Sequence, residues 1–467
     1  MTRSTATYFM LATLCLAGAT AAADAPLNEQ QARKSPDWIT HGVMYQIQPR
    51  AFTPEGTLKA ATAKLPALAE LGVTVIYLCP VFVSDDDMNR DNWSPRQKAS
   101  KMEDPRNPYR MKDFYHVDPE YGTDADLKAF VEEAHRLAMR VMLDMVYLHC
   151  GPKAVFLEEH PDFVKRDPDG QIKNAGWSFP ALNMDNPELR EYLWRNMEMW
   201  VRDFGVDGFR CDVADGIPLD FWETGRERLE ALRPDIGMLS EGQRVQDQLK
   251  AFDLNYGFTW FRALASAYDK GEPASVVRST TETMANNRPR GARFIRYTDN
   301  HDISNDDWEN RREKAWGAKG MEAALVLLFT MDGMPMLYNG QEVADAARHS
   351  IFGRLPVNWA NGETPAGKAR FAFCQKLCEL RRAETALMQG GLEWLDNDAS
   401  DSVLSYLRTI GDEQVVVVLN LKNRAVKAKV QNMPTGGAFK PLLQRDASVG
   451  DSGACELGAY GFWVGKK

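Results

Sequence analysis

In the stretch 206-VDGFRCDVADGIPLDFW-222, the charged residues Arg210 and Asp212 stand among the apolar residues of a buried strand. Their separation places both side chains on the same side of an extended strand. Burying an unpaired charge is unfavourable. The two residues therefore either neutralise each other in a core or stand at the open end of a strand, where they could take part in catalysis.

Other acidic and polar residues follow further apolar runs in the same way. Asp144 and His149 come after one run, Glu241 ends another, and His301 and Asp302 follow a third. Three carboxylates beside an arginine and two histidines would destabilise a hydrophobic core, but they would be useful in an active site. Two carboxylates about 5 Å apart can hydrolyse a glycosidic bond with retention of configuration. One must stay ionised as the nucleophile, and the other needs a raised pKa to donate a proton.

The surroundings of two of these carboxylates predict opposite roles. Arg210 beside Asp212 favours the ionised form of Asp212, which suits a nucleophile. Glu241 follows the apolar residues Met238 and Leu239 and would face like charges. Its pKa should therefore be raised, which suits a general acid and base.

Eight short apolar runs alternate with helical patterns and predict parallel strands joined by crossover helices. The pattern 124-DADLKAFVEEAHRLAM-139 places its apolar residues at helical spacing, and 187–204 begins with Pro187 at a plausible first turn. Eight such units over roughly 350 residues predict an α/β fold, a closed (β/α)8 TIM barrel. The predicted strands span residues 43–48, 73–78, 140–146, 206–213, 236–241, 251–256, 293–299 and 334–339.

Two connections are too long to be plain turns, namely 83–115 after the second strand and 150–186 after the third. Both lie on the carboxyl side of the strands, where barrel active sites are built. After about residue 385, short β runs separated by turn residues predict a C-terminal antiparallel β-sandwich. The predicted units are a signal peptide (1–23), an N-terminal linker (24–37), a catalytic barrel (38–385) and a C-terminal domain (386–467).

Composition restricts the partners and the compartment. A formal net charge of -9 and the lack of a long basic run argue against a nucleic-acid partner. Residues 1–23 have the charged end, apolar run and small cleavage residues of a signal peptide, and no later segment is long and apolar enough to span a bilayer. We therefore expect an exported protein, periplasmic or extracellular, that is free of the membrane after cleavage. Its cysteines are expected as small buried thiols, although export also permits disulfides.

Four short motifs occur in order at the predicted strand ends: 144-DMVYLH-149, 208-GFRCDVA-214, 239-LSEG-242 and 296-RYTDNHD-302. Three further blocks accompany them: 109-YRMKDFYHVDPEYGT-123, 182-LN-183 and 333-GMPMLYNGQE-342. With these motifs the chain resembles the α-amylase superfamily of retaining α-glycosidases, glycoside hydrolase family 13, from about residue 38 onward. The resemblance implies hydrolysis of α-glucosidic bonds in maltooligosaccharides, starch or related α-glucans.

The resemblance implies a catalytic role for several matching residues. Asp212 matches the nucleophile, and Glu241 matches the general acid/base. Asp302 matches the third carboxylate, which binds sugar hydroxyls and favours an oxocarbenium-like transition state. Arg210 matches the residue that keeps the nucleophile ionised and oriented.

Further matches surround the cleavage subsite. His149 and His301 match histidines that hydrogen-bond the sugar, and Tyr109 matches the aromatic residue on which this sugar stacks. Asp144 matches a residue that supports His149 and Arg210 from behind.

One departure from the family concerns metal binding. Leu148 stands where many members carry an asparagine that helps to bind calcium, and leucine offers no oxygen ligand. We therefore predict no required cofactor and no metal ligand among the site residues. Calcium binding elsewhere stays open, for example in the loop 85–91 or 162–169.

Other departures concern the leaving-group side. Starch-type members bind the leaving group through residues that this chain lacks. It has Asp215–Gly216 and Gly242–Gln243 at those positions. The segments 180-PALN-183 and 252-FDLNY-256 resemble the neopullulanase and cyclomaltodextrinase group instead. Three tryptophans are candidates for outer subsites, against the alternative that they are core: Trp93, Trp177 and Trp222.

Two other functions remain open from the sequence. A transglycosylase would use the same residues with a sugar acceptor in place of water. A non-catalytic glycan-binding barrel is disfavoured because such chains typically lose one or more of the acids, and all three are present. The sequence does not give the exact glucan, the choice between endo and exo action, or the oligomeric state.

Overall fold

The computed structural model describes residues 25–434 and 438–467, so the predicted signal peptide lies outside the described residues. Strands in this part of the chain are numbered in chain order. They are β1 (Met44–Ile47), β2 (Val75–Leu78), β3 (Phe82–Ser84), β4 (Met111–Val117), β5 (Arg140–Met145), β6 (Asn174–Gly176), β7 (Phe179–Pro180), β8 (Gly208–Cys211), β9 (Gly237–Ser240), β10 (Leu254–Tyr256), β11 (Phe294–Arg296), β12 (Met334–Tyr338), β13 (Gly391–Trp394), β14 (Val403–Ile410), β15 (Glu413–Asn420), β16 (Val426–Lys429), β17 (Lys440–Val449) and β18 (Ala454–Lys466).

The α-helices are numbered in the same way. They are α1 (Asp37–Thr40), α2 (Pro49–Phe52), α3 (Leu58–Leu71), α4 (Pro95–Ala99), α5 (Asp124–Arg136), α6 (Pro187–Phe204), α7 (Leu219–Leu232), α8 (Asp247–Lys250), α9 (Phe258–Asp269), α10 (Ser275–Asn286), α11 (His301–Asp306), α12 (Arg312–Ala315), α13 (Gly317–Thr330), α14 (Pro365–Ala383) and α15 (Thr385–Gln389).

Capping residues set the boundaries of the predicted helices. Before α5, the Thr123 side chain accepts a hydrogen bond from the Asp126 N–H, and the Asp126 carboxylate accepts one from the Thr123 N–H. Helix α6 begins after Asn186, which caps it, and ends at Gly205 with a φ of 75°. This left-handed conformation favours glycine, so the helix stops where the sequence supplies one.

Eight parallel strands close into a barrel, in the ring order β1, β2, β5, β8, β9, β10, β11 and β12. Each of the eight predicted strands contains one of them, so the predicted TIM barrel is confirmed. The observed strands are shorter than predicted because residues at one or both ends of each run belong to the loops. Asp212 and Glu241, for example, each follow directly after a strand.

Apolar side chains fill the barrel, and a larger cluster lies between the strands and the helices. Since the interior is packed, a ligand can reach the barrel only at its ends. Members of the interior cluster that come from barrel strands are Met44, Val75, Tyr77, Met142, Leu239, Leu254, Tyr256, Ile295, Met334 and Met336.

Both predicted insertions contain regular structure. After β2, strand β3 pairs antiparallel with β4, and helix α4 lies between them in the chain. After β5, strands β6 and β7 form a hairpin whose two turn residues, Trp177 and Ser178, have φ values of 53° and 65°. The insertions therefore form ordered walls on the carboxyl side of the barrel.

The predicted C-terminal antiparallel domain is confirmed, and its strands form one six-stranded sheet whose two halves share β18. Strand β18 pairs with β15 through residues 462–466 and with β16 through residues 454–457. Both halves contribute to a separate apolar core that includes Val416, Leu457 and Trp463. Strand β17 was not predicted from the sequence, because its polar side chains, several of them exposed, hide the apolar signal.

Two further expectations concern the described residues. None of their helices has the length and apolar character needed to cross a bilayer. All six of their cysteines are buried and unpaired, as expected for small packed thiols.

Candidate active site

Arg210 and Asp212 stand at the carboxyl end of β8, where the chain leaves the barrel. Arg210 pairs in register with Asp144 of β5. Asp212 follows the strand, and its N–H donates to the Met145 carbonyl at 2.9 Å. Val213 then adopts a left-handed φ of 41°. This conformation costs an L-residue roughly 1–2 kcal/mol, and such strain clusters at functional sites.

The Arg210 guanidinium joins three carboxyl groups. Its Nη1 donates to Asp144 Oδ1 at 2.6 Å and to Asp212 Oδ1 at 2.8 Å. Its Nη2 lies 2.6 Å from Glu241 Oε1. Asp212 and Glu241 contact the same buried cation, so their carboxyl groups lie close together, as a two-carboxylate reaction requires.

Glu241 follows β9, and its surroundings favour the protonated form of its carboxyl group. Its Oε2 accepts a hydrogen bond from the Val213 N–H at 2.8 Å. Burial raises the pKa of Glu241 to about 8 against the opposing charge of Arg210, and the carboxylates of Asp212 and Asp302 also raise it. Glu241 is therefore mostly protonated at pH 7, as the sequence analysis predicted for an acid.

Asp212 ionises more readily than Glu241. Burial raises the pKa of Asp212 to about 6, although the charge of Arg210 opposes the rise. The predicted contact with Arg210 is present, but burial outweighs it, so this pKa lies above the ordinary value. Asp212 is still mostly ionised at pH 7. The two pKa values are thus separated in the order that a nucleophile and an acid need.

Asp302 lies in the first turn of α11, which Asn300 caps by accepting a hydrogen bond from the Ile303 N–H at 2.8 Å. Asp302 Oδ1 accepts a hydrogen bond from Arg96 Nη2 at 2.7 Å. Burial opposes ionisation, but His301 and Arg96 hold the pKa of Asp302 well below its ordinary value. Asp302 is therefore a fixed negative charge.

His301 is held in one orientation by Gln46 of β1. The Gln46 Oε1 accepts a hydrogen bond from the His301 backbone N–H at 3.2 Å, and its Nε2 donates to His301 Nδ1 at 2.7 Å. His301 Nε2 therefore carries the proton and donates to the Tyr109 hydroxyl at 2.8 Å. Burial lowers the pKa of His301 to about 4, so the ring is neutral at pH 7.

Tyr109 continues this hydrogen-bonded chain. Its hydroxyl donates to Asp144 Oδ2 at 3.0 Å, and its ring stacks on His301 with centroids 5.4 Å apart. Asp144 also accepts from the Tyr77 hydroxyl at 2.8 Å, and burial raises the pKa of Asp144 to about 6. Asp144 thus supports Arg210 and Tyr109 from behind.

The hydrogen bonds of His149 differ from the expected ones in one respect. Its Nε2 donates to the Tyr109 carbonyl at 2.7 Å, and no hydrogen bond to the expected partner Asp144 is present among the described residues. Burial lowers the pKa of His149 to about 4, so Nδ1 is an unprotonated acceptor. Nδ1 is buried and has no hydrogen-bond partner in the described part of the chain.

A cleft brings these residues together at the carboxyl end of the barrel. The three carboxylates, both histidines and Tyr109 line it, whereas Arg210 and Asp144 lie behind it. The lining residues are Ser94, Arg96, Asn107, Tyr109, His149, Trp177, Phe179, Asp212, Val213, Glu241, His301, Asp302, Ile351 and Phe352.

Sequence reasoning missed Arg96 and did not separate the three candidate tryptophans. Arg96 lies in a polar insertion without periodicity, so nothing local indicates that it reaches Asp302. Trp177 is 39% exposed and lines the cleft. Trp93 and Trp222 are buried core residues, so the hypothesis that they line outer subsites is wrong for both.

The residues around the family calcium position do not suit a cation. The Leu148 side chain packs on Gly216, where a Cβ would lie 2.8 Å from Leu148 Cδ1. In residues 25–434 and 438–467, no three histidine, cysteine or acidic side chains converge as metal ligands. Lys112 and Lys153 instead lie beside Asp86 in the acidic 85–87 run.

Comparison with protein families identifies the family of this chain. A family model described as the catalytic domain of α-amylase matches residues 26–170 and 172–366. The chain belongs to the α-amylase family. A second model, the C-terminal domain of maltogenic amylase, matches residues 392–464. As a member of this family, the chain is an α-glucan glycoside hydrolase.

The individual relatives share about a quarter of their aligned residues with this chain. A cyclomaltodextrinase from a Bacillus species is 26% identical over 464 residues, which cover 84% of this chain and 75% of that protein. Neopullulanase 2 from Thermoactinomyces vulgaris is 25% identical over 86% of this chain and 73% of its own length. The crystal structure of a noncanonic maltogenic α-amylase from Thermotoga neapolitana superimposes with a TM-score of 0.79 at 25% identity, covering 91% of this chain and 98% of that chain.

Proposed function

We propose that this chain hydrolyses α-glucosidic bonds in maltooligosaccharides, starch or related α-glucans with retention of configuration. The contact of one guanidinium with two carboxyl groups carries the proposal: Arg210 lies 2.8 Å from Asp212 and 2.6 Å from Glu241, beside the cleft that Asp302 also lines. Relatives named cyclomaltodextrinase, neopullulanase and maltogenic amylase support α-glucans as the substrate class.

In the first step, the ionised Asp212 attacks the anomeric carbon of the bound sugar. The glycosidic C–O bond breaks, and Glu241 transfers its proton to the leaving oxygen. The product is a glycosyl ester on Asp212. A Glu241 pKa of about 8 keeps this proton available at neutral pH, and an Asp212 pKa of about 6 keeps the nucleophile ionised.

In the second step, Glu241 is ionised and takes a proton from a water molecule. The water oxygen bonds to the anomeric carbon, and the ester bond to Asp212 breaks, which restores both carboxyl groups. The pair therefore carries one negative charge throughout, on Asp212 at rest and on Glu241 in the intermediate. Arg210 contacts both groups and balances this charge in either position.

Four residues that line the cleft would position the sugar. Asp302 is a fixed anion that can bind sugar hydroxyls and stabilise positive charge at the anomeric carbon. The neutral His149 offers Nδ1 as an acceptor for a hydroxyl. Tyr109 and His301 present stacked rings beside them.

The anomeric form of the first product tests this proposal. Hydrolysis of maltotriose followed by NMR at early times should release the α-anomer, which then mutarotates. A β-anomer as the initial product would contradict a nucleophilic Asp212. Absence of hydrolysis across maltooligosaccharides, pullulan and cyclodextrin would refute the proposed function itself.

We also propose that the chain is exported, on the basis of the leader-like pattern in residues 1–23. Relatives from Bacillus subtilis are named intracellular maltogenic amylases, so export would set this chain apart from them. Sequencing the N-terminus of the protein recovered from periplasm or medium should show that it starts near residue 24. Recovery of the uncleaved chain in the cytoplasm alone would contradict export.

A further inference from the structure

Arg96 makes a bridge across the rim of the barrel. Its Nη2 donates to Asp302 Oδ1 at 2.7 Å, and its Nε donates to Asp306 Oδ1 at 3.0 Å. Arg96 belongs to α4 in the insertion after β2, whereas Asp302 and Asp306 belong to α11 in the loop after β11. We call these two contacts the Arg96 bridge. In the ring of strands, β1 and β12 lie between β2 and β11, so the bridge passes over their loops.

Further hydrogen bonds link the Arg96 bridge to the loop after β12. Asp306 Oδ1 accepts a hydrogen bond from Asn305 Nδ2 at 2.8 Å, and Asn305 Oδ1 accepts one from the Ile351 N–H at 3.1 Å. Ile351 and Phe352 follow β12 and line the cleft from this side. The bridge, this chain of hydrogen bonds and these two residues therefore form one wall of the cleft.

The insertion after β2 is fixed against the loop after β12. Arg348 Nη2 donates to the Ser100 carbonyl at 3.2 Å. Met102 packs so closely on Gly353 that a Cβ there would lie 2.7 Å from the Met102 Sδ. These contacts join the insertion after β2 to the loop after β12.

The closed side lies opposite the proposed acid. Strand β9, which Glu241 follows, is four strands from β1 in either direction around the ring. The leaving group must lie at Glu241, because Glu241 protonates its oxygen. The sugar retained on Asp212 extends away from that oxygen, toward β1 and the Arg96 bridge. Any further sugar on its non-reducing side would meet the wall.

We propose that the Arg96 bridge makes this protein an exo-acting glucosidase, which takes the non-reducing end of an α-glucan and releases one terminal glucose at a time. The inference rests on the proposed function and adds its mode of action. An internal sugar could bind only by displacing Arg96 from Asp302 and Asp306. Losing charge-assisted hydrogen bonds lowers productive binding by roughly tenfold to a hundredfold each.

A pair of substrates tests the proposal on the unmodified protein. One is maltoheptaose labelled at its reducing end, and the other is the same compound with a 4,6-O-benzylidene group on its non-reducing sugar. We expect the first substrate to yield labelled maltohexaose as its first product. We expect kcat/KM for the blocked substrate to be lower by about a hundredfold. Cleavage of both at rates within about threefold would overturn the proposal.

Two variants test whether Arg96 is responsible. We compare the ratio of kcat/KM for the blocked substrate to kcat/KM for the unblocked substrate. Arg96→Ala should raise this ratio by about tenfold or more and should yield several first products. Asp306→Ala removes one support of Arg96 but leaves Asp302 intact, so it should raise the ratio less. Arg90→Ala is the matched control, because Arg90 forms an exposed ion pair with Glu103 in the same insertion and does not line the cleft. Its ratio should equal that of the unmodified protein.

The outcomes separate the two proposals. If the unmodified protein hydrolyses neither substrate, the proposed function fails. If it hydrolyses both equally, the function stands and exo action is refuted. An unchanged ratio in a folded Arg96→Ala variant that hydrolyses the unblocked substrate would show that Arg96 does not determine the mode.

Discussion

The proton of Glu241 offers the sharpest test of the chemistry. Replacement of Glu241 by glutamine keeps the size of the side chain but removes the acid. A positioned general acid contributes about 10²–10⁴-fold to the rate. We therefore expect kcat for maltotriose to fall by at least about a hundredfold. α-Glucosyl fluoride needs no protonation of its leaving group, so formation of the glycosyl ester should be slowed far less with this substrate.

The pH dependence links this rate to the structure. In the unmodified protein, kcat/KM should follow a bell-shaped curve. Activity should fall below pH 6 as Asp212 becomes protonated, and above pH 8 as Glu241 loses its proton. In Glu241→Gln with α-glucosyl fluoride, the acid limb should remain and the alkaline limb should disappear. Intact-mass analysis should show a glucosyl adduct, because the second step lacks its base.

Glu103→Gln provides the matched control, since Glu103 is exposed in an insertion and does not line the cleft. Its pH profile should coincide with that of the unmodified protein. If the alkaline limb persists in Glu241→Gln, it belongs to another group. The assignment of the raised pKa to Glu241 would then be incorrect.

Three further perturbations have defined outcomes. Arg210→Met should leave Asp144 buried without its cation and lower the free energy of unfolding by about 3–5 kcal/mol, measured in urea; a loss below about 1 kcal/mol would contradict the geometry. Trp177→Ala should raise KM with little change in kcat or Tm, because this exposed ring lines the cleft without supporting the core; equal effects on KM and Tm would indicate a structural role. A chelator should leave Tm unchanged, because Leu148 packs on Gly216 and offers no ligand; a drop of several degrees would reveal a structural metal.

Several features of the fold were predictable because their signals are local. Alternating apolar runs and helical patterns predicted eight strand–helix units, and Thr123, Asn186 and Gly205 set helix boundaries through their own chemistry. Parallel barrel strands end at one face, so residues that follow them must converge there. Asp212 and Glu241 were therefore predictable as neighbours.

Other features depended on contacts between distant segments. Arg96 and Asp302 are 206 positions apart, and Gln46 and His301 are 255 apart. Neither pair leaves a local pattern that marks its partner. The effect of burial also depends on the whole fold, because burial raises the pKa of Asp212 despite the adjacent Arg210.

The sequence by itself thus determined the barrel, the order of its strands and the residues at their carboxyl ends, since hydrophobic periodicity and short motifs are properties of consecutive residues. The tertiary structure decided which tryptophan reaches the cleft, which arginine binds Asp302 and in which direction burial shifts the pKa of Asp212. The physical reason is that desolvation, ion pairing and steric closure depend on every segment that packs around a group, and those segments come from remote parts of the chain.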